Sequence, residues 1–210
     1  MIMQKVRLAV LSTVAAGVLA AGVGAVPAQA ATPTTSAATT IAAATSTGTA
    51  SAGSTAPANA VLPLSSVAGL FSEVTQLVSV GPDPTAVGHP TSTVSLVFAD
   101  PSGTKRVTLS IDLYASAADS AAAFQQSAQA STAVPGFTPL QTPALGDAST
   151  AGIVTMGTET HVGIGVLDGQ LIVGATTAGF SLTQANTDRL VTVAQLESTI
   201  AKAVMGAAGS

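Results

Sequence analysis

The sequence predicts an α+β domain in which an antiparallel sheet of about five strands packs with three helices, in the order α-β-β-α-β-β-β-α. Three observations support this class. Apolar residues recur at helical spacing near both ends of the domain, they alternate with polar residues in two separate stretches, and an Asp-Gly pair divides the second stretch. Hairpins between helices favour an antiparallel sheet, made of two hairpins plus one strand, over a parallel βαβ sheet.

The first predicted element is an amphipathic helix over residues 64–78. Its apolar residues have the spacing i, i+3, i+4, i+7, i+10 and i+11, which forms one stripe along a helix. The stripe comprises Val67, Leu70, Phe71, Val74, Leu77 and Val78. The segment Gly81-Pro82-Asp83-Pro84 ends this helix, because glycine and proline interrupt helical structure.

The second predicted element is a hairpin between Thr93 and Tyr114. Its two strands alternate apolar and polar residues, and the turn-forming segment 100–104 separates them. The apolar positions are Val94, Leu96, Phe98, Val107, Leu109, Ile111 and Leu113. One face of this hairpin is therefore expected to be buried.

A second helix is predicted at about residues 117–130. Ser116 is expected to cap it, since an acidic residue, Asp119, stands three positions later, as in a capping box. A loop with three prolines follows over residues 134–146, and it leads to a strand at about Ala148 to Met156.

The clearest predicted turn lies at Asp168-Gly169, between strands at about residues 161–167 and 170–176. Pairing Leu167 with Gln170 places the larger apolar side chains on one side. The other side carries Gly163, Gly165 and Gly174 beside Ile172. Because glycine has no side chain, a backbone or a ligand can approach this face closely. His161 lies at the entry of this hairpin, on the same side as Glu159. The predicted ligand-binding residues are accordingly Gly163, Gly165, Gly174, Ile172 and His161.

The last predicted helix covers residues 183–204, with a stripe formed by Leu190, Val193, Leu196, Ile200 and Val204. Together these elements make a single domain over residues 61–205, and residues 206–210 are expected to form a flexible tail.

The segment before this domain predicts export. Lys5 and Arg7 precede an apolar run, and Ala28-Gln29-Ala30 fits a signal peptidase site, so residues 1–30 are predicted as a signal peptide cleaved after about Ala30. The alternative is that the apolar run is retained as a membrane anchor. Residues 31–60 contain 11 Ala, 9 Thr and 4 Ser, and this composition predicts a disordered linker that glycosylation could modify.

Composition excludes several function classes. Without the signal peptide the formal charge falls from -4 to -6, because both of its basic residues are lost, and an acidic chain is unsuited to nucleic acid. The absence of cysteine removes disulfides, thiol catalysis and lipid attachment, so a cleaved protein would have no stable membrane anchor. We expect no cofactor and no metal site, since no phosphate loop, dinucleotide fingerprint or zinc motif occurs.

Candidate catalytic groups are few. The chain has two histidines, His89 in a polar loop and His161 beside Glu159. A carboxylate there could orient an imidazole, although a surface pair at a strand end is the alternative. Asp112 lies on a predicted strand face and could belong to a carboxylate pair, but the sequence shows no partner for it.

The segment Pro143-Ala-Leu-Gly146-Asp147-Ala148 enters a strand that is followed by a hairpin and a long helix. This order resembles small exported actinobacterial α+β domains, including the PsbP-like and lipoprotein-type domains of unknown function. The resemblance covers about residues 62–205, and Gly146 and Asp147 match its short motif. It implies an extracytoplasmic accessory or ligand-binding domain without a known catalytic site. The chain departs from the lipoprotein members because it lacks the lipidated cysteine.

Three functions are consistent with these observations. The first is a secreted, non-enzymatic binding or interaction domain whose partner is an envelope lipid, a glycan or a protein. The second is a cell-envelope hydrolase that uses His161 with Glu159 or another carboxylate. The third is a passive wall or matrix protein. The sequence leans towards a protein that is not an enzyme, and it leaves the ligand and the oligomeric state open.

Overall fold

The computed structural model describes residues 60–208, which belong to one compact unit. The elements in chain order are α1 (Leu64–Leu70), β1 (Gln76–Gly81), β2 (Ser92–Ala99), β3 (Arg106–Leu113), α2 (Ala117–Thr132), β4 (Thr138–Pro139), β5 (Ala148–Met156), β6 (Glu159–Asp168), β7 (Leu171–Ala178) and α3 (Gln184–Ala208). The predicted signal peptide and the linker up to residue 59 lie outside these residues. No helix in the described range is long and apolar enough to cross a membrane.

The seven strands of this range form one sheet in the order β1-β2-β3-β7-β6-β5-β4, and every neighbouring pair is antiparallel. The α+β class and the three helices are confirmed. The predicted number of about five strands is wrong, because β1 and β4 extend the sheet at its two edges. The order of elements is therefore α-β-β-β-α-β-β-β-β-α.

The missed strand β1 comes from the second half of the predicted first helix. α1 ends at Leu70, and the following Phe71 has φ -118° and ψ 82°, which is outside the helical region. Val67, Phe71 and Val74 are fully buried as the stripe predicted. Beyond them the chain is rich in β-branched residues, which favour extended structure on the pleated surface. Leu77 and Val78 therefore lie in an edge strand and are exposed.

The missed strand β4 lies within the proline-rich segment that the sequence predicts as a loop. It consists of Thr138 and Pro139, which pair with Ile153 and Gly152 of β5. Proline cannot donate a backbone hydrogen bond, so it is tolerated at a sheet edge and not at its centre. A two-residue strand of this kind has too short a pattern to be seen in sequence.

The β2–β3 hairpin, α2 and β5 are confirmed. Ser116 caps α2, since its Oγ accepts a hydrogen bond from the backbone N–H of Asp119 at 3.1 Å. The apolar positions of the hairpin, including Leu109 and Ile111, are buried in the main core.

The β6–β7 hairpin has a different register from the predicted one. Asp168 pairs with Leu171, so the two turn residues are Gly169 and Gln170, and the partner of Leu167 is Ile172. Gly169 has φ +61°, whereas Gln170 has no positive φ, which is the φ pattern of a type II′ turn with glycine first. The shift amounts to two residues along β7, so each side chain keeps its predicted face.

Helices cover both faces of the sheet. α1 and α3 pack on the face that carries Val107, Leu109, Val173 and Ile164, and they close the main core. α2 packs on the opposite face, where Phe124 joins Tyr114, Ile172 and Leu167 in a smaller cluster. α2 covers the half of this face near the ends of β3 and the start of β7, and it leaves the other half open.

α3 turns an acidic side chain towards the core. Leu190 and Val193 are fully buried as predicted, but Leu196 is 40% exposed and Glu197 is 0% exposed. Oε2 of Glu197 accepts a hydrogen bond of 2.7 Å from the backbone N–H of Leu62, just before α1. Burial raises the pKa of Glu197 to about 7. α3 also continues to Ala208, past the predicted end of the domain.

Candidate functional site

A half-open groove of about 430 Å³ occupies the part of the sheet that α2 leaves uncovered. Its rim is apolar and includes Val78 and Val80 of β1 together with Pro82 and Pro84 of the next loop. The two valines are 58% and 56% exposed, which is unusual for such side chains beside a concave surface. The volume lies within the range of small-molecule sites.

The floor of the groove is made of hydroxyl-bearing strand residues. Thr108 of β3 pairs with Thr176 of β7, and both face the groove together with Ser95 of β2. Ser95 pairs with Ser110 of β3, which is four residues from Arg106 along the same strand. Four residues span roughly 13 Å at about 3.3 Å per residue. The groove can thus hold an elongated molecule that meets apolar walls and hydrogen-bonding groups at once.

A charged cluster stands at the far end of the groove. Arg106 and His161 both line it, and they lie near each other because each pairs with Ala178 of β7 from opposite sides. The guanidinium Nη2 of Arg106 donates to Oε1 of Glu159 at 2.8 Å, and Nε2 of His161 lies 3.3 Å from Oε2 of the same carboxylate. Glu159 therefore holds the two nitrogen-bearing side chains together.

His161 is a buried histidine, and its two charged neighbours shift its pKa in opposite directions. It is only 3% exposed, and this burial lowers its pKa. Arg106 lowers the pKa further, while Glu159 raises it, and the net direction is downward. At neutral pH the imidazole is therefore uncharged, and Arg106 is the cationic side chain that the groove presents. Within residues 60–208 no group of three or more His, Cys, Asp or Glu residues has the arrangement of a metal site.

Of the ligand-binding residues predicted from sequence, His161 lines the groove. Gly163, Gly165 and Gly174 lie on the same sheet face, as the alternation predicts, and Gly165 pairs with Gly174. All three glycines are buried, and none lines the groove. Ile172 packs with α2 in the smaller cluster. The structure thus gathers the predicted residues on one face but places only His161 at the cavity.

The structure also contains a pair of buried carboxylates, of which only Asp112 was singled out from sequence. Asp112 is 0% exposed and Asp83, in the loop after β1, is 6% exposed. Burial, and then the neighbouring charge of Asp83, together raise the pKa of Asp112 to about 8. Burial also raises the pKa of Asp83, against hydrogen bonds from Thr85. Asp83 is the partner that sequence alone did not show for Asp112.

Comparison with known proteins was negative in two of three cases. No family model matches this chain. No curated protein matches it either. Among solved structures, the extracellular domain of PknH from Mycobacterium tuberculosis is similar with a TM-score of 0.43 and 11% identity, over 68% of this chain and 93% of that one. The resemblance to PsbP-like and lipoprotein-type domains accordingly stays a prediction.

The rim and the cationic end of the groove were not predicted from sequence. Val78 and Val80 were assigned to a helix or left unplaced, so their exposure could not be anticipated. Arg106 belongs to no sequence motif that predicts a binding role. The available signal was the alternation of β3, which places Arg106 on the same face as Thr108 and Asp112. Only the pairing of β3 with β7 and β6 brings Arg106 to His161, and no short motif encodes that pairing.

Proposed function

We propose that this protein is a secreted, non-enzymatic binding domain whose sheet-face groove takes an elongated amphiphile with an acidic head, of the kind found among envelope lipids. The observation that carries the proposal is the presence of an exposed valine, Val78, and a lining arginine, Arg106, in one groove. The predicted export signal supports the extracytoplasmic location.

The arrangement of the groove matches the two parts of such a molecule. An apolar chain would cover Val78 and Val97, which both line the groove, and burial of one such side chain contributes about 1.5–3 kcal/mol. The acidic head would lie beside Arg106, whose guanidinium can form paired hydrogen bonds with a carboxylate or phosphate. The hydroxyls of Thr108 and Thr176 supply the remaining polar contacts along the floor.

The non-enzymatic part of the proposal is supported by the contacts of His161. Among the described residues, its side-chain hydrogen-bond partner is Glu159, and no serine or threonine hydroxyl hydrogen-bonds to its imidazole. A histidine that activates a nucleophile needs that nucleophile within hydrogen-bond reach.

Decanoate, used below its micelle concentration, tests the groove by isothermal titration calorimetry. We expect decanoate to bind and maltohexaose not to bind. Val78→Asp should weaken decanoate binding at least tenfold, because it places a charge against the apolar chain, and about 1.4 kcal/mol corresponds to tenfold. Arg106→Gln should weaken binding of decanoate but not of the uncharged monodecanoyl glycerol.

The matched control is Leu196→Asp, which changes an exposed apolar residue on α3, on the other side of the sheet. This variant should bind decanoate like the unmodified chain. Equal weakening by Val78→Asp and Leu196→Asp, or no binding of any amphiphile to the unmodified chain, would contradict the proposal.

A second candidate function is a cell-envelope hydrolase, which the 3.3 Å approach of His161 to Glu159 favours. The lowered pKa of His161 keeps its imidazole neutral at pH 7, as a general base requires. If this function holds, His161→Ala should abolish the hydrolysis of p-nitrophenyl esters, and His161→Gln should not restore it. Equal rates for His161→Ala and the unmodified chain would remove this candidate.

A further inference from the structure

The carboxylates of Asp83 and Asp112 contain three buried oxygen atoms that accept no hydrogen bond from the described residues. Both oxygens of Asp112 and Oδ2 of Asp83 are in this state. Oδ1 of Asp83 accepts from the backbone N–H of Thr85 at 2.8 Å and from its hydroxyl at 2.6 Å. Buried polar atoms are nearly always satisfied, so three such atoms on neighbouring side chains require an explanation.

The two carboxylates are brought together by the fold. Thr93 of β2 pairs directly with Asp112 of β3, and Oγ1 of Thr93 accepts a hydrogen bond of 3.0 Å from the backbone N–H of Asp83. The loop after β1 is thereby held over Asp112. The hydroxyl of Ser110, two residues before Asp112 on the same face, also lies close to Asp83.

No lysine or arginine of the described residues neutralises this pair. Lys105 binds Glu73, Arg106 binds Glu159 and Lys202 binds Asp168, while Arg189 hydrogen-bonds to Asn186. Two carboxylates in a buried site strongly oppose each other's ionisation. A bound cation removes that repulsion and uses the free oxygens as ligands.

We propose that Asp83 and Asp112 form a binding site for one calcium ion. Calcium prefers oxygen ligands from carboxylates, hydroxyls and carbonyls, in a flexible geometry that does not demand an ideal octahedron. Asp112 and Oδ2 of Asp83 would supply the charged ligands, and the hydroxyl of Ser110 is placed to contribute a neutral one. This site is independent of the proposed ligand of the groove. It would, however, hold Pro82 and Pro84, which flank Asp83 and line the groove.

Thermal unfolding of the full chain tests the site. The protein is treated with EDTA, dialysed, and heated in buffers of equal ionic strength that contain calcium, magnesium or sodium chloride. At calcium concentrations near a hundred times Kd, the Tm should rise by about 5 °C or more. Titration of calcium alone should give a stoichiometry of one by calorimetry.

Asp112→Asn keeps the shape of the side chain and removes its charge, so this variant should lose the calcium-dependent rise in Tm. Asp83→Asn is the second variant and should lose it as well. The matched control is Asp188→Asn, which changes an exposed aspartate on α3 and should keep the full rise.

Several outcomes would overturn the site. These are an unchanged Tm together with no calorimetric binding for the unmodified chain, a rise with magnesium but not with calcium, or a calcium-dependent rise that persists in Asp112→Asn and Asp83→Asn. Because the unmodified chain decides whether calcium binds, a variant that fails to fold leaves the test decisive.

Discussion

Gly146→Ala is expected to lower the free energy of unfolding by roughly 3–5 kcal/mol, a large share of the stability of an ordinary domain. Gly146 has φ +57°, and a Cβ atom added to it would lie 2.3 Å from the carbonyl oxygen of Leu167. That carbonyl cannot easily move away, because it accepts a hydrogen bond of 2.8 Å from the backbone N–H of Asp147. Strain in the backbone and a steric clash therefore act together. Urea unfolding followed by far-ultraviolet circular dichroism measures the loss.

Gly157→Ala separates the two contributions. Gly157 lies in the turn between β5 and β6 with φ +63°, and a Cβ atom there would meet nothing within 4 Å. Gly157→Ala should therefore lower the free energy of unfolding only by the backbone strain, about 1–2 kcal/mol. If both substitutions cost the same, the close approach of Gly146 to Leu167 does not constrain the fold, and the expectation is wrong.

Glu197→Gln is expected to be more stable than the unmodified chain at pH 8. The difference in free energy of unfolding between the two chains should grow by on the order of 3 kcal/mol in favour of the variant from pH 4.5 to pH 8. In the folded protein burial raises the pKa of Glu197 from 4.5 to about 7. The folded state thus holds a proton that the unfolded state has already released. As the pH rises from about 4.5 to 7, the unmodified chain loses unfolding free energy, and above that range the whole cost is present. Glutamine stays neutral and can still accept the hydrogen bond from Leu62.

The measurement is the free energy of unfolding of both chains at pH 4.5, 6 and 8. Glu73→Gln serves as the control, since its backbone hydrogen bond and then Lys105 lower the pKa of Glu73 and favour its charged form. This half-exposed residue should show no gain in stability as the pH rises. A difference between Glu197→Gln and the unmodified chain that is the same at all three pH values would show that Glu197 does not titrate in this range.

Elements with strong local patterns were predictable from sequence. Ser116 with Asp119 marked the start of α2, and the alternation in β2 and β3 identified which side chains are buried. The β6–β7 turn was found but displaced, since Asp168-Gly169 and Gly169-Gln170 both offer glycine, and the φ required at each position decides between them. Local periodicity could not distinguish the end of α1 from the start of β1, because one apolar stripe fits both halves of the segment until strand pairing is known.

The candidate site was predictable only in part. The alternation of β6 placed His161 and the glycines on one face, but the cavity is formed by contacts between distant segments. Arg106 meets His161 across β7, and Asp83 reaches Asp112 through a loop that the sequence assigns no contact. Glu197 is a different case, because it continues the spacing of Leu190, Val193 and Ala194 on α3. Its burial was not predicted because core positions are usually apolar, although its spacing places it on the stripe.

The hydrogen bond between Glu197 and Leu62 also joins the residues before α1 to the core. Ala60 and Leu62, which precede α1, are buried in the core, so these residues are part of the packed interior. A cut after Pro63 would expose apolar core and leave the buried carboxylate without its donor. A fragment that lacks Ala60 and Leu62 should therefore be less stable than one that retains them.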